Sequence, residues 1–291
     1  MPVLPWGMIA AGIAALIAGL ILVRPRFAAA SGADKILVLG PVFEAVALAI
    51  FAAEHFLDAH DLMGAVPRWL PGALFWTYFV GTALLAAAIS FIAWRCVRWS
   101  ALLLALLFLI FVATIHFPNL LQHTHERLFW TIVVRETCFA GGAMILAGSV
   151  WTRGSSTGGM LIAFGRFLVA ATFVFYAIQH FLFPRFVPGV PLGKLTPDWV
   201  PAPALLAYVV GTTLLAAGIG LMIPRARRTA AATAGTVLLL LTFFFYAPIL
   251  ITEIGTPLMV EGVNYVGDTS LFAATALLAG FTANLIDSLK A

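Results

Sequence analysis

The chain has 291 residues, of which 63% are hydrophobic and only 10% are charged. Soluble proteins typically have roughly 45–50% apolar and about 25% charged residues, so this composition excludes a soluble globular domain and predicts an integral membrane protein. The formal net charge of +4 does not indicate a nucleic-acid ligand, because the basic residues are spread over many loops and form no single patch.

Nine apolar segments are long enough to cross a bilayer, since a span needs about 20 mostly apolar residues. Backbone groups in lipid must be paired within the segment, so we expect these spans to be helices. They are residues 4–23, 36–57, 72–94, 99–118, 129–151, 161–183, 203–223, 229–252 and 265–286. The predicted fold class is all-α, a polytopic transmembrane helix bundle of about nine spans.

The loops between these segments differ in charge on the two sides of the membrane. The basic set contains Arg24, Arg26, Lys35, Arg95, Arg98, Arg153, Arg225, Arg227 and Arg228. The positive-inside rule places this set in the cytoplasm, with the N-terminus outside and the C-terminus inside. The first segment has no basic residues before its apolar run, so we expect a span there and no cleaved signal peptide. We expect the membrane to be a bacterial cytoplasmic membrane.

The second half of the chain repeats the first. The matched stretches are "AEHF" (53–56) with "IQHF" (178–181), "YFVGTALLAAAI" (78–89) with "YVVGTTLLAAGI" (208–219), "HFPNL" (116–120) with "YAPIL" (246–250), and "RETCFAGGAMILAG" (135–148) with "GDTSLFAATALLAG" (267–280). This order predicts a tandem duplication, with an insertion of five residues in the second outer loop. Each unit has an even number of spans, so the two units share one orientation.

The predicted domains follow from this repeat. An N-terminal helix and its cytoplasmic loop occupy residues 1–35, and the two four-helix units occupy residues 36–151 and 161–291. A polar linker, 152–160, joins the units. Small residues on the second and fourth helices, as in "FAGGA" (139–143), are expected to let neighbouring backbones approach closely. Pro118 and Pro248, at matched positions, are expected to mark exits from the membrane or kinks.

The four-helix unit resembles the DoxX-like family of integral membrane proteins. The resemblance is carried by a polar residue that ends the first helix, by the proline-containing outer loops "VPRWLPG" and "TPDWVPAP", and by second helices that begin near "GTxLLAA". It implies an association with redox and with thiol or sulfur metabolism, as a membrane subunit beside a soluble or membrane oxidoreductase. Cys96 and Cys138 form no CxxC motif, so whether the chain is itself catalytic stays open.

All six histidines fall in the outer half of the predicted bundle or in its outer loops. A quinone-like molecule or a lipid needs an aromatic cleft with imidazole, phenol or carboxyl groups to meet its polar head. The candidate ligand-binding residues are His55, Glu54, His116, Arg135, Glu136, Tyr176, His180 and Tyr246. The aromatic residues among the outer helix ends also fit an ordinary interfacial belt.

Ionisable side chains inside spans need partners, because a charge at mid-bilayer costs roughly 2.5–3.5 kcal/mol on insertion scales. Glu44, Arg166 and Asp268 are further residues of this kind. We expect Arg135 to pair with Glu54 or Glu44, and Glu136 to correspond to Asp268 in the repeat. Such pairs either lock the helices together or belong to a functional site.

Metal and haem are weaker alternatives for the same face. His60, His123 and His125 are imidazoles of the kind that zinc or copper accepts, but their spacing matches no strong motif. A haem between His55 or His180 and His116 is chemically allowed, since haem iron takes axial imidazoles.

Three functions therefore remain from the sequence. The first is a redox-associated membrane subunit that binds a small amphipathic molecule, quinone-like or lipid, in its outer half. The second is a proton-coupled small-molecule transporter or channel, since parallel repeats and intramembrane carboxylates occur in such proteins. The third is a structural scaffold whose polar groups only hold the bundle together.

Overall fold

In the computed structural model, residues 3–151, 154–282 and 285 are described. These residues are helical apart from loops and one isolated β-bridge between Phe186 and Leu195. The first part of the chain forms α1 (Val3–Ala29), α2 (Asp34–Leu37), α3 (Gly40–Leu57), α4 (Ala59–Leu62), α5 (Ala73–Ala93), α6 (Val97–Phe111), α7 (Phe117–Gln122) and α8 (Arg127–Ser149). The second part forms α9 (Ser156–Leu182), α10 (Pro203–Met222), α11 (Arg227–Leu241), α12 (Ala247–Glu253) and α13 (Met259–Leu278).

Eight helical stretches in the described part of the chain are long and apolar enough to cross a membrane. Helix α13 packs against α3, α8 and α11 and is the ninth long element of the bundle. The predicted all-α bundle of about nine spans is confirmed, and the chain is an integral membrane protein. Its surface carries the many exposed Leu, Ile and Phe side chains that a lipid environment favours.

Glycines set the closest helix contacts. A Cβ added at Gly12 of α1 would lie 2.8 Å from Ile50 of α3, and one at Gly19 would lie 2.6 Å from Val42, so α1 runs antiparallel to α3. A Cβ added at Gly141 of α8 would lie 2.8 Å from the carbonyl oxygen of Gly165 on α9. This contact confirms the close approach expected at "FAGGA". Such contacts matter because, in the absence of water, packing is the main force that holds membrane helices together.

The two four-helix units repeat one close contact between their first two long helices. In the first unit a Cβ at Gly81 of α5 would lie 2.8 Å from the Cβ of His55 on α3. In the second unit a Cβ at Gly211 of α10 would lie 2.9 Å from the Cβ of His180 on α9. Each histidine is therefore held at the same place against the same kind of helix surface.

The matched prolines do not end their helices. Pro118 and Pro248 each follow a π-helical turn, Val112–His116 in the first unit and Thr242–Tyr246 in the second, and the helices then continue as α7 and α12. A proline in a helix has no N–H to donate and crowds the carbonyl one turn back, and the wider π turn accommodates it. Both prolines therefore lie within helices that continue past them, next to a π turn, and neither marks a helix end.

Two predicted boundaries also need correction. Helix α9 begins at Ser156, inside the predicted linker 152–160, because the Ser155 hydroxyl caps it by accepting from the Gly158 N–H at 3.4 Å. Helix α13 begins at Met259, six residues before the predicted 265, so its polar first turns belong to the helix. The predicted end of that span, 286, lies outside the described residues.

Candidate ligand site in the first four-helix unit

His55 lies in the last turn of α3, with its ring orientation fixed by its own helix. Its Nδ1 donates to the carbonyl oxygen of Phe51, one turn back, at 2.7 Å. A carbonyl oxygen only accepts, so Nδ1 carries the hydrogen and Nε2 of the neutral ring is an acceptor. His55 lies against Gly81 of α5 and lines the cavity described next.

A cavity of about 410 Å³ lies beside His55, between α5, α6 and the loop 58–72. Its wall is apolar except for a few groups: His55, His116, Trp76, Thr77 and Thr114. The apolar lining comes from Leu62, Ala65, Val66, Pro67, Leu70, Phe79, Val80, Leu107, Ile110, Phe111 and Ile115. An apolar cavity with few polar groups is typical of a site for a small, largely apolar molecule.

A second apolar space of about 300 Å³ continues from this cavity along the groove between α5 and α6. The two spaces share Phe79, Leu107 and Ile110. The groove reaches Ser100, about 15 Å further along α6 at the usual helical rise. Phe79 and Ile110 are exposed on the outer surface of the bundle, so the groove opens toward lipid.

His116 closes the far side of the cavity at the end of the first π turn. Helix α8 packs against this turn, and the charges of Glu136 and Arg135 act on the His116 ring. Arg135 is bonded to two carboxylates, to Glu136 at 2.8 Å and to Asp268 of α13 at 2.5 Å. One guanidinium thus holds two acids at matched positions of the two units, and it ties the fourth helices together.

The expected pairing of Arg135 with Glu54 or Glu44 is wrong. Glu54 instead accepts a hydrogen bond of 2.7 Å from the side-chain amide of Asn264 on α13. Glu44 is buried deeper in α3, and its Oε2 has no hydrogen-bond partner among the described residues. Glu136 is the next residue on α8, and Asp268 reaches Arg135 because α13 packs against α8.

The second unit uses His180 differently from His55, although both rings are anchored alike. Nδ1 of His180 donates to the carbonyl of Tyr176 at 2.5 Å, as His55 does to Phe51. Nε2 of His180 accepts from the backbone N–H of Gly189 at 2.8 Å, and the side chain is buried. Both nitrogens are therefore occupied, so His180 has no free atom for a haem iron or a separate ligand.

The segment that reaches His180 belongs to the loop 183–202, which is five residues longer than loop 58–72. Val187 and Val190 of this segment are fully buried. Tyr246, at the position that matches His116, donates a hydrogen bond of 2.6 Å to the carbonyl of Pro188. Gly189, which adopts a positive φ of 94°, packs beside Leu241, the counterpart of Phe111 in the cavity wall. The second loop thus lies between His180, Tyr246 and Leu241, the counterparts of His55, His116 and Phe111 in the first cavity.

Charged side chains hold this loop in place. Arg127 of α8 donates to the carbonyls of Pro191 and Leu192 and lies 3.8 Å above the ring of Phe186. The Lys194 ammonium contacts Glu253 at 2.6 Å and Glu261 at 3.2 Å. Burial lowers the pKa of Lys194, but hydrogen bonds to the two carboxylates outweigh it and raise the pKa above the usual value.

Tyr176 and Arg166 donate hydrogen bonds to backbone carbonyls outside their own helix and do not line the first cavity. The Tyr176 hydroxyl donates to the carbonyl of Thr131 at 3.0 Å, and its ring packs on Phe272 away from the first cavity. Arg166 donates to the carbonyls of Ala279 and Phe281, each at 3.1 Å, and so caps the end of α13. The structure therefore brings His55 and His116 together at one cavity and places Tyr176, His180 and Tyr246 elsewhere.

The metal candidates do not converge. His60 and His125 are exposed, while Nδ1 of His123 donates to the Glu126 carboxylate at 2.7 Å and the ring stacks on Phe129. Among the described residues, no group of three or more His, Cys, Asp or Glu side chains is placed to hold a metal ion.

Several residues of the site carry no chemical signal in the sequence. Thr77, Val80 and Ile115 line the cavity but look like ordinary residues of a span. Of the aromatic residues at these helix ends, Trp76 lines the cavity, whereas Trp69 is 70% exposed and Tyr78 stacks on Phe56. The five-residue insertion in the second loop was the visible signal for the different fate of His180.

The chain belongs to the family described as a domain of unknown function (DUF8561), whose model matches residues 43–129 and 169–253, together more than half of the chain. One matched stretch lies in each four-helix unit, and the first contains both His55 and His116. No curated protein matches the chain, and no solved structure does.

Proposed function

We propose that the chain is a membrane subunit that binds a small amphipathic molecule, quinone-like or lipid, in the cavity between His55 and His116. The observation that carries this function is that the cavity beside His55 and His116 continues into an apolar groove open to lipid. A molecule with a polar head and one apolar chain matches this shape, since such a head needs only a few placed polar groups.

The redox association rests on the resemblance to DoxX-like proteins. With no CxxC motif in the sequence, the chain is a non-catalytic subunit in this proposal, and a soluble or membrane oxidoreductase supplies the chemistry. The membrane is a bacterial cytoplasmic membrane with the basic loops inside. This orientation puts His55 and His116 in the outer leaflet, because they lie at the helix ends opposite Arg95 and Arg98.

The test is to purify the full chain in a mild detergent and to identify the quinones and lipids that remain bound by mass spectrometry. A Val80→Trp variant would fill the cavity, and Gly64→Ala, which meets no atom within 4 Å, is the matched control. We expect one class of molecule to be retained by the wild type and the control and to be lost from Val80→Trp. Equal retention by all three proteins would contradict the proposed site.

A further inference from the structure

In the second unit a segment of loop 183–202 lies between His180 and Tyr246, the residues that match His55 and His116. The chemistry of this segment indicates what the first unit binds. The hydrogen bonds that this segment makes with His180 and Tyr246 come from one chemical group. The carbonyl that Tyr246 bonds belongs to Pro188, and the N–H that His180 accepts belongs to Gly189, so both are parts of a single peptide bond.

This peptide bond is trans, since the described chain contains no cis peptide bond. In a trans amide the N–H and the carbonyl point in opposite directions. His180 and Tyr246 therefore hold the amide from opposite sides, His180 as acceptor and Tyr246 as donor. Val187 and Val190, which flank this peptide bond in the chain, are fully buried.

The first unit has the matching pair of groups. His55 corresponds to His180 and has the same anchoring bond to the residue four positions earlier, so its Nε2 is presented as an acceptor in the same way. His116 corresponds to Tyr246 and lies at the end of the same π turn. A neutral imidazole carries one N–H, so His116 can supply the donor that the Tyr246 hydroxyl supplies in the second unit.

The outer loops explain why the two units differ. Loop 58–72 is five residues shorter than loop 183–202, and its Val66, Pro67 and Leu70 line the roof of the cavity. In the second unit the longer loop enters the bundle and is anchored there by Arg127 and Lys194. The first unit thus keeps a pair of groups suited to an amide, but its own chain does not supply one.

We propose that the first cavity binds a single-chain amphipathic molecule whose head is a secondary amide, with its N–H toward Nε2 of His55 and its carbonyl toward His116. The apolar chain lies in the groove between α5 and α6. This inference rests on the proposed binding function and names the class of ligand. A quinone head has two carbonyl acceptors and no donor, so it cannot satisfy the acceptor nitrogen of His55.

The test uses tritiated N-dodecylacetamide and the detergent-solubilised full chain in a scintillation proximity assay. The competitors are unlabelled N-dodecylacetamide, its N-methyl derivative and dodecyl acetate. The last two keep the carbonyl and the chain but lack the N–H. We expect the two compounds without an N–H to compete at least tenfold more weakly. Competition by all three within twofold would overturn the assignment of the amide.

Variants locate the effect. We expect His55→Phe to reduce the preference for the secondary amide to below threefold, and the exposed His60→Ala to leave it unchanged. A preference that survives unchanged in a folded His55→Phe protein would also overturn the assignment. Should His55→Phe not fold, the comparison of the three competitors on the wild type still decides the question.

Two further competitors separate the sources and the two proposals. The peptide acetyl-Val-Pro-Gly-Val-amide carries the same amide without the long chain, and stronger competition by it than by N-dodecylacetamide would contradict a lipid-like ligand. A decyl-substituted benzoquinone is the second competitor. If it binds to the wild type but not to Val80→Trp, and if the secondary amide is not preferred over the compounds without an N–H, the amide assignment is contradicted and the proposed function stands. Failure of every probe to bind would contradict both.

Discussion

Gly81 lies directly against His55: a Cβ at position 81 would be 2.8 Å from the Cβ of the histidine. Gly211 and His180 repeat this relationship at 2.9 Å in the second unit. The two helices of each pair are thus held at a distance that only glycine permits. The place of each histidine at the end of the first long helix of its unit is fixed by this contact.

Alanine at either glycine is therefore expected to destabilise its unit. The added methyl group must push α3 from α5, or α9 from α10, at a cost on the order of 1–3 kcal/mol. Thermal unfolding of Gly81→Ala and Gly211→Ala in detergent, followed by circular dichroism, should show a lower midpoint than the wild type. Gly64→Ala is the control, since a Cβ there meets nothing within 4 Å. An unchanged midpoint for Gly81→Ala would contradict the close contact.

Removal of the Arg135 side chain should be strongly destabilising. Arg135→Leu leaves Glu136 and Asp268 without their shared cation in a buried place, and breaking a buried ion pair costs about 3–5 kcal/mol. Arg228→Ala, which breaks an exposed pair with Asp34, should cost at most about 1 kcal/mol. Denaturation of both variants in mixed micelles measures the difference. Comparable losses for the two would show that Arg135 has no special role in joining α8 and α13.

The hydrogen bond from Tyr246 to Pro188 should hold the second loop inside the bundle. Tyr246→Phe leaves the Pro188 carbonyl buried without its donor, which costs about 1–3 kcal/mol. Hydrogen exchange at residues 186–192, read by mass spectrometry, should become faster in this variant. Tyr208→Phe changes an exposed hydroxyl on α10 and should leave exchange there unaltered. Slow exchange in Tyr246→Phe would mean that other contacts suffice to hold the loop.

Loop 183–202 should also depend on pH through Lys194. The pKa of Lys194 is raised in the folded protein, so its contribution is complete at neutral pH and is lost only as the pH rises above about 10. Cleavage of the loop by proteinase K should therefore be slow and constant from pH 7 to 9 and faster at pH 11. Lys194→Met should be cleaved quickly at pH 8. Arg68→Gln, in the matched loop of the first unit, is the control. Protection of the loop in Lys194→Met at pH 8 would contradict its anchoring role.

Most of the membrane-spanning helices can be predicted from the sequence, because a helix that crosses lipid needs a long apolar run. Spans such as 36–57 and 72–94 are long apolar runs, and α3 and α5 end close to these limits. The continuation of the helices past Pro118 and Pro248 was not accessible. It depends on a π turn, whose shifted hydrogen bonds leave no pattern of apolar residues.

The site was only partly predictable. An imidazole is unusual in an apolar run, which makes His55 and His116 candidates in the sequence, and both line the cavity. His180 and Tyr246 looked equivalent to them, but the loop segment around Gly189 satisfies both, and loop paths depend on contacts between distant residues such as Arg127 and Pro191. The partners of Arg135 were likewise decided by which helices contact at its level.

Photolabelling tests the central claim, that the first unit holds a ligand cavity and the second unit fills the matching space itself. A single-chain amide with a diazirine near its head is bound to the full chain in detergent, irradiated and mapped by peptide mass spectrometry. We expect labels within residues 55–80 and 107–116, and their loss in Val80→Trp. Equal labelling of residues 180–210 and 237–246, or labelling that persists in Val80→Trp, would contradict the claim.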